Sequence, residues 1–395
     1  MSKEKKRDPI KVMLRWTVIL AVVAVAALLL GNAITSYRAG VLKARQDEAE
    51  KINAKRDEEY AVALAEFEAA SQSGANLAWP AQKTEGWDVV DLTNYPLESV
   101  YTATVNRSDI MNGGMLLVNQ WHSRPDDFSE SELVSIMSYV GSRNLLYGLP
   151  GSSTQLMPVA IDALNECIKD ANAIGLTNYT ILEGYRSMDE QQQLFDKQME
   201  SLSSRYSGDA LIERTKQYVN YPGTSEYQTG LSFRMRIYKK GDSQVNDQAF
   251  STSEQGKWLA ENSWRYGIVF RFPLTDYPLP YTADKSYKTG ISTQMNLYRY
   301  VGKGNAAVMH TLDLCLEEYV EYLQEHPHIA VFEDGTLKYE IYRQYVGDAG
   351  SIELQLTGKT ASYDSSLDNM GGVITVFSYL CMIAREAASF QEAPP

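Results

Sequence analysis

Histidine is scarce in this chain. There are four, at His122, His310, His326 and His328. His122 lies beside a proline loop, His310 is expected to open a helix, and His326 with His328 flank a proline in a linker. Surface or capping roles fit each of them better than metal ligation. Cysteine is scarcer still. Cys167, Cys315 and Cys381 stand far apart with no C-x-x-C pair, so neither a disulfide framework nor a cysteine zinc knot is indicated, with a single bridge as the alternative to free thiols. Three buried thiols are expected. Positive charge is in deficit: the formal net charge is -13, so nucleic acid is not an expected partner. No internal repeat is present. No S-x-x-K motif stands in a persuasive helical context, and no His/Asp pair can be given a role, so no replacement nucleophile is in view.

What is present is apolar and aromatic. Hydrophobic residues make up 44% of the 395 positions and tyrosine alone supplies 26. That composition folds into a packed core, in one large or two modest domains. The first apolar feature is Trp16 to Ala33, 18 residues that include TVILAVVAVAALLL. Its length nearly matches a hydrocarbon core of about 30 Å. Lys3, Lys5, Lys6, Arg7, Lys11 and Arg15 precede it against Glu4 and Asp8. Residues 1–15 therefore read as a cytoplasmic basic tail, 16–34 as a membrane helix, and the remainder as extracytoplasmic. The competing reading is a cleaved signal peptide; the long run and the lack of a clear small-x-small site favour an uncleaved anchor. Residues 35–72 are rich in Ala, Glu, Lys and Arg, and from residue 41 carry neither Gly nor Pro; they form an expected helical stalk.

From residue 86 the pattern becomes mixed. TQLMPVAIDALNECIKDANAIG spaces Leu156, Ala160, Leu164, Cys167 and Ala171 as one helical stripe. TNYTILEGYRS reads as a strand that delivers Arg186 and Ser187 at its end, followed by a helix over MDEQQQLFDKQMESL. STSEQGKWLAENSWRYG carries an expected capping box, Ser251 with Glu254, and IVFRFP is the next strand. TLDLCLEEYVEYLQEH is amphipathic, with Leu312, Leu316, Tyr319, Val320 and Leu323 inward. Residues 329–395 alternate in short runs and are expected as a small β-rich extension. The expectation is an α+β fold, not a doubly wound sheet.

PGTSEYQTGLSFRM (222–235) has the punctuation of a site loop entering a strand. Taken with LLVN and PDDF (116–128), EGYRSMDEQQQLF (183–195), WLAENSWRYGIVFRFP (258–273), TGISTQMNLYRYVG (289–302) and LEEYVEYL (316–323), it resembles the VanY-like D-alanyl-D-alanine carboxypeptidases. These are extracytoplasmic zinc peptidases that trim peptidoglycan stem peptides. The resemblance implies a carboxypeptidase domain over 86–328 with a small antiparallel sheet. Zinc held by His, Asp and His lowers the pKa of bound water from about 15.7 to about 7, and a Glu serves as base. Carried across, those positions hold Tyr227, Arg234, Leu297 and, for the base, Gln294. No zinc and no catalytic residue are expected here. Arg186 matches the family arginine near the substrate carboxylate, with Ser187 and Gln191 around it. Ser225, Glu226, Tyr298 and Arg299 flank the altered positions as ligand-binding candidates or as fold determinants. Arg234 is expected either to satisfy Glu226 or another leftover carboxylate, replacing the metal as the local positive charge, or to grip a ligand carboxylate with Arg186.

The function implied is a membrane-anchored pseudopeptidase that binds a stem peptide or a cell-wall protein partner. An active carboxypeptidase with a rearranged site and an assembly protein using the outer faces of the fold are the alternatives.

Overall fold

Apolar and polar residues alternate in short runs through much of the chain, and helices form where apolar spacing widens to three and four. The computed structural model describes residues 86–379 apart from 359 and 361. The expected basic tail, membrane helix and stalk lie outside the described residues. Among those described, no helix is long and apolar enough to cross a membrane.

In chain order the main strands are β1 (Trp87–Asp91), β2 (Val100–Asn106), β3 (Tyr179–Glu183), β4 (Ser232–Ile237), β5 (Ile268–Phe270), β6 (Leu297–Tyr300), β7 (His328–Glu333), β8 (Thr336–Tyr345), β9 (Ser351–Thr357), β10 (Ser362–Leu367) and β11 (Gly372–Ser378). The main helices are α1 (Pro158–Ala173), α2 (Met188–Leu202), α3 (Gly208–Thr215), α4 (Glu254–Asn262), α5 (Lys303–Thr311) and α6 (Leu316–Glu325). A four-stranded sheet has the order β3-β4-β6-β5, and a five-stranded sheet has the order β1-β7-β8-β11-β10. Neighbours in both are antiparallel. The mixed helix-and-strand reading with a small antiparallel sheet matches this architecture.

The four-stranded sheet positions the site. Its register sets Phe233 opposite Tyr298, and these two join Ile181 and Met235 in a core with Ile161, Leu164 and Ile168 of α1. The strand period of two then commits the alternate residues to the other face. Glu183, Arg234 and Leu297 are register partners across β3, β4 and β6, so they form one row on that free face.

Helix starts follow local capping chemistry. Ser187 caps α2 and makes a capping box with Glu190. The cap of α4 differs from expectation: Ser253, not Ser251, accepts from the Gly256 amide at 3.0 Å. The reason is the short 3-10 turn over Phe250–Thr252, which delays the helix by two residues. A Cβ at position 256 would lie 1.8 Å from the Phe250 carbonyl oxygen, so that turn requires glycine.

The C-terminal strands form as expected, but the boundary drawn at 328/329 does not separate two packed bodies. β7 pairs with β1, and β9 pairs with β2. One face of the five-stranded sheet, through Ile329, Val331, Ile341, Ile374 and Val376, packs on α5 and α6. Leu367, Val373 and Phe377 on the other face meet Ile352, Leu354 and Leu356 of β9. Leu312 lies in the link between α5 and α6 and is exposed, because Cys315 caps α6 and starts it only at Leu316. Cys167 and Cys315 are free and buried, as expected; Cys381 lies outside the described residues.

Two histidines depart from their expected roles. His310 sits near the end of α5 and stacks on Trp264 at 4.4 Å between ring centroids. Its burial among apolar groups, with Arg265 nearby, lowers its pKa to about 4. His328 opens β7 and is buried. Its Nδ1 lies 2.7 Å from the Tyr95 carbonyl oxygen and its Nε2 lies 2.6 Å from the Glu340 carboxylate. Both partners accept, so both ring nitrogens must donate, and the ring is an imidazolium.

Burial opposes charge on this pair, yet the hydrogen bonds prevail: His328 is raised above 6.5 and Glu340 is held below 4.5. The histidine contribution is full below pH 6.5 and is lost as pH rises through its raised folded value; the carboxylate contribution is lost only on strong acidification. Between pH 6 and pH 9 the wild type should lose on the order of 1 kcal/mol, a few degrees in Tm. Glu340→Gln should flatten that profile in thermal unfolding. Equal slopes in the two proteins would remove the pair from the pH dependence.

Candidate functional site

A cavity of about 300 Å³ opens where the free face of the four-stranded sheet meets the loops before and after it. Leu297 of β6 forms part of its wall. Val118, Asn119 and Gln120 close one side, and Glu213, Lys216, Asn220 and Tyr221, from α3 and the loop after it, close another. Ser225, Glu226 and Tyr227 reach it from a 3-10 turn, Glu226–Thr229, that ends at Gly230 with φ +68°. A Cβ there would meet the Leu133 side chain at 2.5 Å, so glycine serves both the left-handed backbone and the close approach.

The structure brings two of the four altered positions together. Tyr227 and Leu297 pack with Phe272 into one apolar cluster, with Ile291 and Met295 against it. The Tyr227 hydroxyl is buried without a well-formed hydrogen bond. Burial, and the nearby Glu183 carboxylate, push its pKa far up and keep it protonated. Arg234 occupies the row between Glu183 and Leu297. Its Nε is buried without a hydrogen bond, and among the described residues it makes no ion pair. Its charge reaches Tyr227 and also Tyr277, whose pKa burial raises to about 12 against that opposing charge. Gln294 is exposed on the loop entering β6 and does not line the cavity.

These residues do not fit a zinc ion. Leu297 has no lone pair to give, Arg234 is a permanent cation, and a protonated phenol is a poor ligand. Among the described residues, no group of three or more His, Cys, Asp or Glu side chains is placed to hold a metal.

Beneath the cavity lies a chain of buried charges. Glu226 accepts from Arg271 Nε at 2.9 Å, from Ser232 Oγ at 2.8 Å and from Arg299 Nη1. Arg271 continues to Glu317 with a bidentate pair at 2.9 and 2.7 Å. Asn119 Nδ2 donates to Glu317 at 3.0 Å. Arg299 Nη2 donates to the Gly114 and Leu116 carbonyls at 2.8 and 2.9 Å. Burial alone would raise the Glu226 pKa; the Arg299 and Arg271 guanidiniums outweigh it and hold it below the usual carboxylate range. A carboxylate stabilised in this way is a weak base.

This corrects one of the roles expected of Arg234, the pairing with Glu226. Glu226 is satisfied by Arg271 and Arg299, which approach from the ends of β5 and β6, so it has no need of Arg234. Arg299 is fully buried as a fold determinant, and Tyr298 faces the opposite side of the sheet against α1. Arg186 pairs with Glu183, donates to Gln191 Oε1 at 2.6 Å and stacks 4.6 Å above the Tyr227 ring. Gln191 is buried and donates to the Asn220 carbonyl at 2.6 Å. Ser187 serves α2 as its cap. Of the ligand-binding candidates, Ser225 and Glu226 line the cavity; Arg186, Ser187, Gln191, Arg234, Tyr298 and Arg299 do not.

Arg271 and Glu317 were not foreseen. One signal was available: an arginine inside the apolar run IVFRFP needs a buried partner. The partner itself, 46 residues away, has no local signature.

Comparison with known proteins bears on this arrangement. The VanY family model, D-alanyl-D-alanine carboxypeptidase, matches residues 153–303. A D-alanyl-D-alanine carboxypeptidase of Enterococcus faecium is 29% identical over 281 residues, 71% of this chain and 80% of the relative. The bifunctional D-Ala-D-Ala dipeptidase and carboxypeptidase VanXYC of Enterococcus gallinarum is 30% identical over 145 residues, 37% of this chain and 67% of the relative. Among solved structures, the vancomycin-resistance D,D-dipeptidase VanXYg, in complex with a D-Ala-D-Ala phosphinate analogue, superposes with a TM-score of 0.51 at 22% identity. That match covers 71% of this chain and 99% of the other, and it shows a shared fold.

Removing Arg271 would leave two carboxylates buried without their shared cation. Arg271→Met should cost roughly 3–5 kcal/mol in denaturant unfolding. Lys303→Met, which breaks an exposed pair with Glu166, should cost less than about 1 kcal/mol. Similar losses at both positions would show that the buried chain is not what holds the cavity wall.

Proposed function

Because the chain belongs to the VanY-like D-alanyl-D-alanine carboxypeptidase family, we propose that it is a non-catalytic member that binds peptidoglycan stem peptide without cleaving it. The observation that carries this reading is the apolar contact of Tyr227, Phe272 and Leu297. It occupies positions where the family resemblance puts two zinc-binding histidines. Without a bound dication, water near neutral pH supplies almost no hydroxide to attack an amide.

A rearranged active site would still need a base. The carboxylates on the cavity wall are Glu226 and Glu213. Glu226 is held between two guanidiniums, and Glu213 pairs with Lys216 at the exposed rim. The two guanidiniums hold the Glu226 pKa below the usual carboxylate range, which makes it a weak base. The names of the relatives, which describe D-Ala-D-Ala carboxypeptidases and a dipeptidase, support the ligand class. A cavity of about 300 Å³ is at the small end of ligand pockets, a size suited to a peptide end.

The basic residues before the apolar run 16–33 support an anchor with the peptidase-like domain on the outer side of the membrane. Held there, the domain would meet wall peptides at high local concentration. A cell-wall protein is the alternative partner for the same outer location.

The test is direct. The full chain, incubated with zinc and an acetylated tripeptide ending in D-Ala-D-Ala, should bind the peptide and release no D-alanine. The combined variant Tyr227→His, Arg234→Asp, Gln294→Glu and Leu297→His should take up zinc in stoichiometric amount. Release of D-alanine by the wild type that stops on chelation would overturn the proposal.

A further inference from the structure

The stem-peptide reading leaves open which group meets the peptide carboxylate, and the answer here rests on that reading. We propose that Lys216, not Arg186, receives the terminal carboxylate of the peptide, with the apolar terminal residue seated on Tyr227, Phe272 and Leu297.

Among the described residues, the arginines near the cavity are already committed or set back from its wall. Arg271 spends Nε on Glu226 and both terminal nitrogens on Glu317. Arg299 divides its donors among Glu226 and three carbonyls. Arg186 is engaged with Glu183 and Gln191, and its guanidinium lies over the Tyr227 ring. The ring lines the cavity and the guanidinium does not. Arg234 stands beside Leu297 in the sheet, and Leu297 is the member of that row that reaches the cavity.

Among the described residues, Lys216 is the one cationic side chain on the cavity wall. It follows α3 directly, at the C-terminal end of the helix. Its Nζ lies 2.8 Å from Glu213 Oε1 and 5.5 Å from the centre of the Tyr221 ring. An ammonium has three donors, and Glu213 takes one. The side chain is 42% exposed, so its remaining donors are free to turn toward a ligand at small desolvation cost. The apolar cluster faces the same cavity. A peptide end offers the matching pair of features: a carboxylate and, beside it, an uncharged side chain.

The experiment is isothermal titration of the full chain with the acetylated tripeptide ending in D-Ala-D-Ala, as the free acid and as the C-terminal amide. Wild type should favour the acid by about three- to fivefold, the size expected of a half-exposed ion pair. That preference should shrink in high salt. Lys216→Met should bind acid and amide alike, and Lys216→Glu should favour the amide. Arg186→Gln should keep the wild-type preference. An acid preference that survives Lys216→Met, or one lost in Arg186→Gln, would overturn the inference and leave the stem-peptide reading intact. Failure of the wild type to bind either form would overturn both.

Discussion

Two carboxylates and two guanidiniums, Glu226, Arg271, Glu317 and Arg299, share one buried chain of ion pairs, and the cavity depends on it. Their formal charges cancel, so the chain can sit out of water. Each member comes from a different part of the sequence: the turn before β4, the end of β5, the first turn of α6, and β6. The Arg299 donors also fix the extended segment at Gly114 and Leu116. Glu317 gains further from its place in the first helical turn, where the dipole favours a negative charge. Such a network contributes modestly to net stability compared with a well-packed apolar core. Its larger effect is to make every alternative arrangement costly, because each would strand a charge.

On the proposed non-catalytic reading, that explains how the site frame would persist without a metal. Glu226 is adjacent to Tyr227, and Arg299 is two residues from Leu297. The ion pairs therefore hold the backbone at both altered positions without help from a metal. Where zinc ligands hold a site together, losing the metal loosens it. Here the side chains at 227 and 297 pack on Phe272 and gain from burial of apolar surface. The cavity is thus an ordinary apolar pocket set on a polar foundation.

The parts of this arrangement that were legible in the sequence are those fixed by neighbours along the chain. α2 was readable to its first residue, because Ser187 and Glu190 cap it within one turn. α1 and the strands β4 and β6 followed from apolar spacing. The capping of α4 was misplaced by two residues, because a 3-10 turn competes for the same serines and threonine. Long-range pairing was not legible. Nothing local tells residues 329–333 that they will lie beside 87–91, so strands that looked like a separate appendage share a sheet with the N-terminal strand β1. The same limit hid Arg271 and Glu317. A buried arginine announces that it has a partner but not where the partner is. The expected Arg234–Glu226 pairing did not follow, because the strand turns Arg234 to a row where Glu183 and Leu297 are its neighbours.

That row separates two electrostatic roles that a metal would have combined. A zinc ion both attracts an anionic ligand from a distance and touches it. In this chain Glu183 stands beside Arg234 and is paired with Arg186, so one carboxylate faces two guanidiniums and a positive excess remains near the cavity floor. Coulomb's law lets that excess act through several ångströms of low-dielectric protein. It can favour a carboxylate in the cavity without reaching it, since neither guanidinium lines the wall. On the proposed reading, contact falls to a half-exposed lysine at the rim, which can release its ligand as readily as it takes it up. Long-range attraction from buried arginines and short-range contact from an exposed ammonium suit reversible binding of an anionic peptide end, whereas hydrolysis needs a cation that touches the reacting carbonyl.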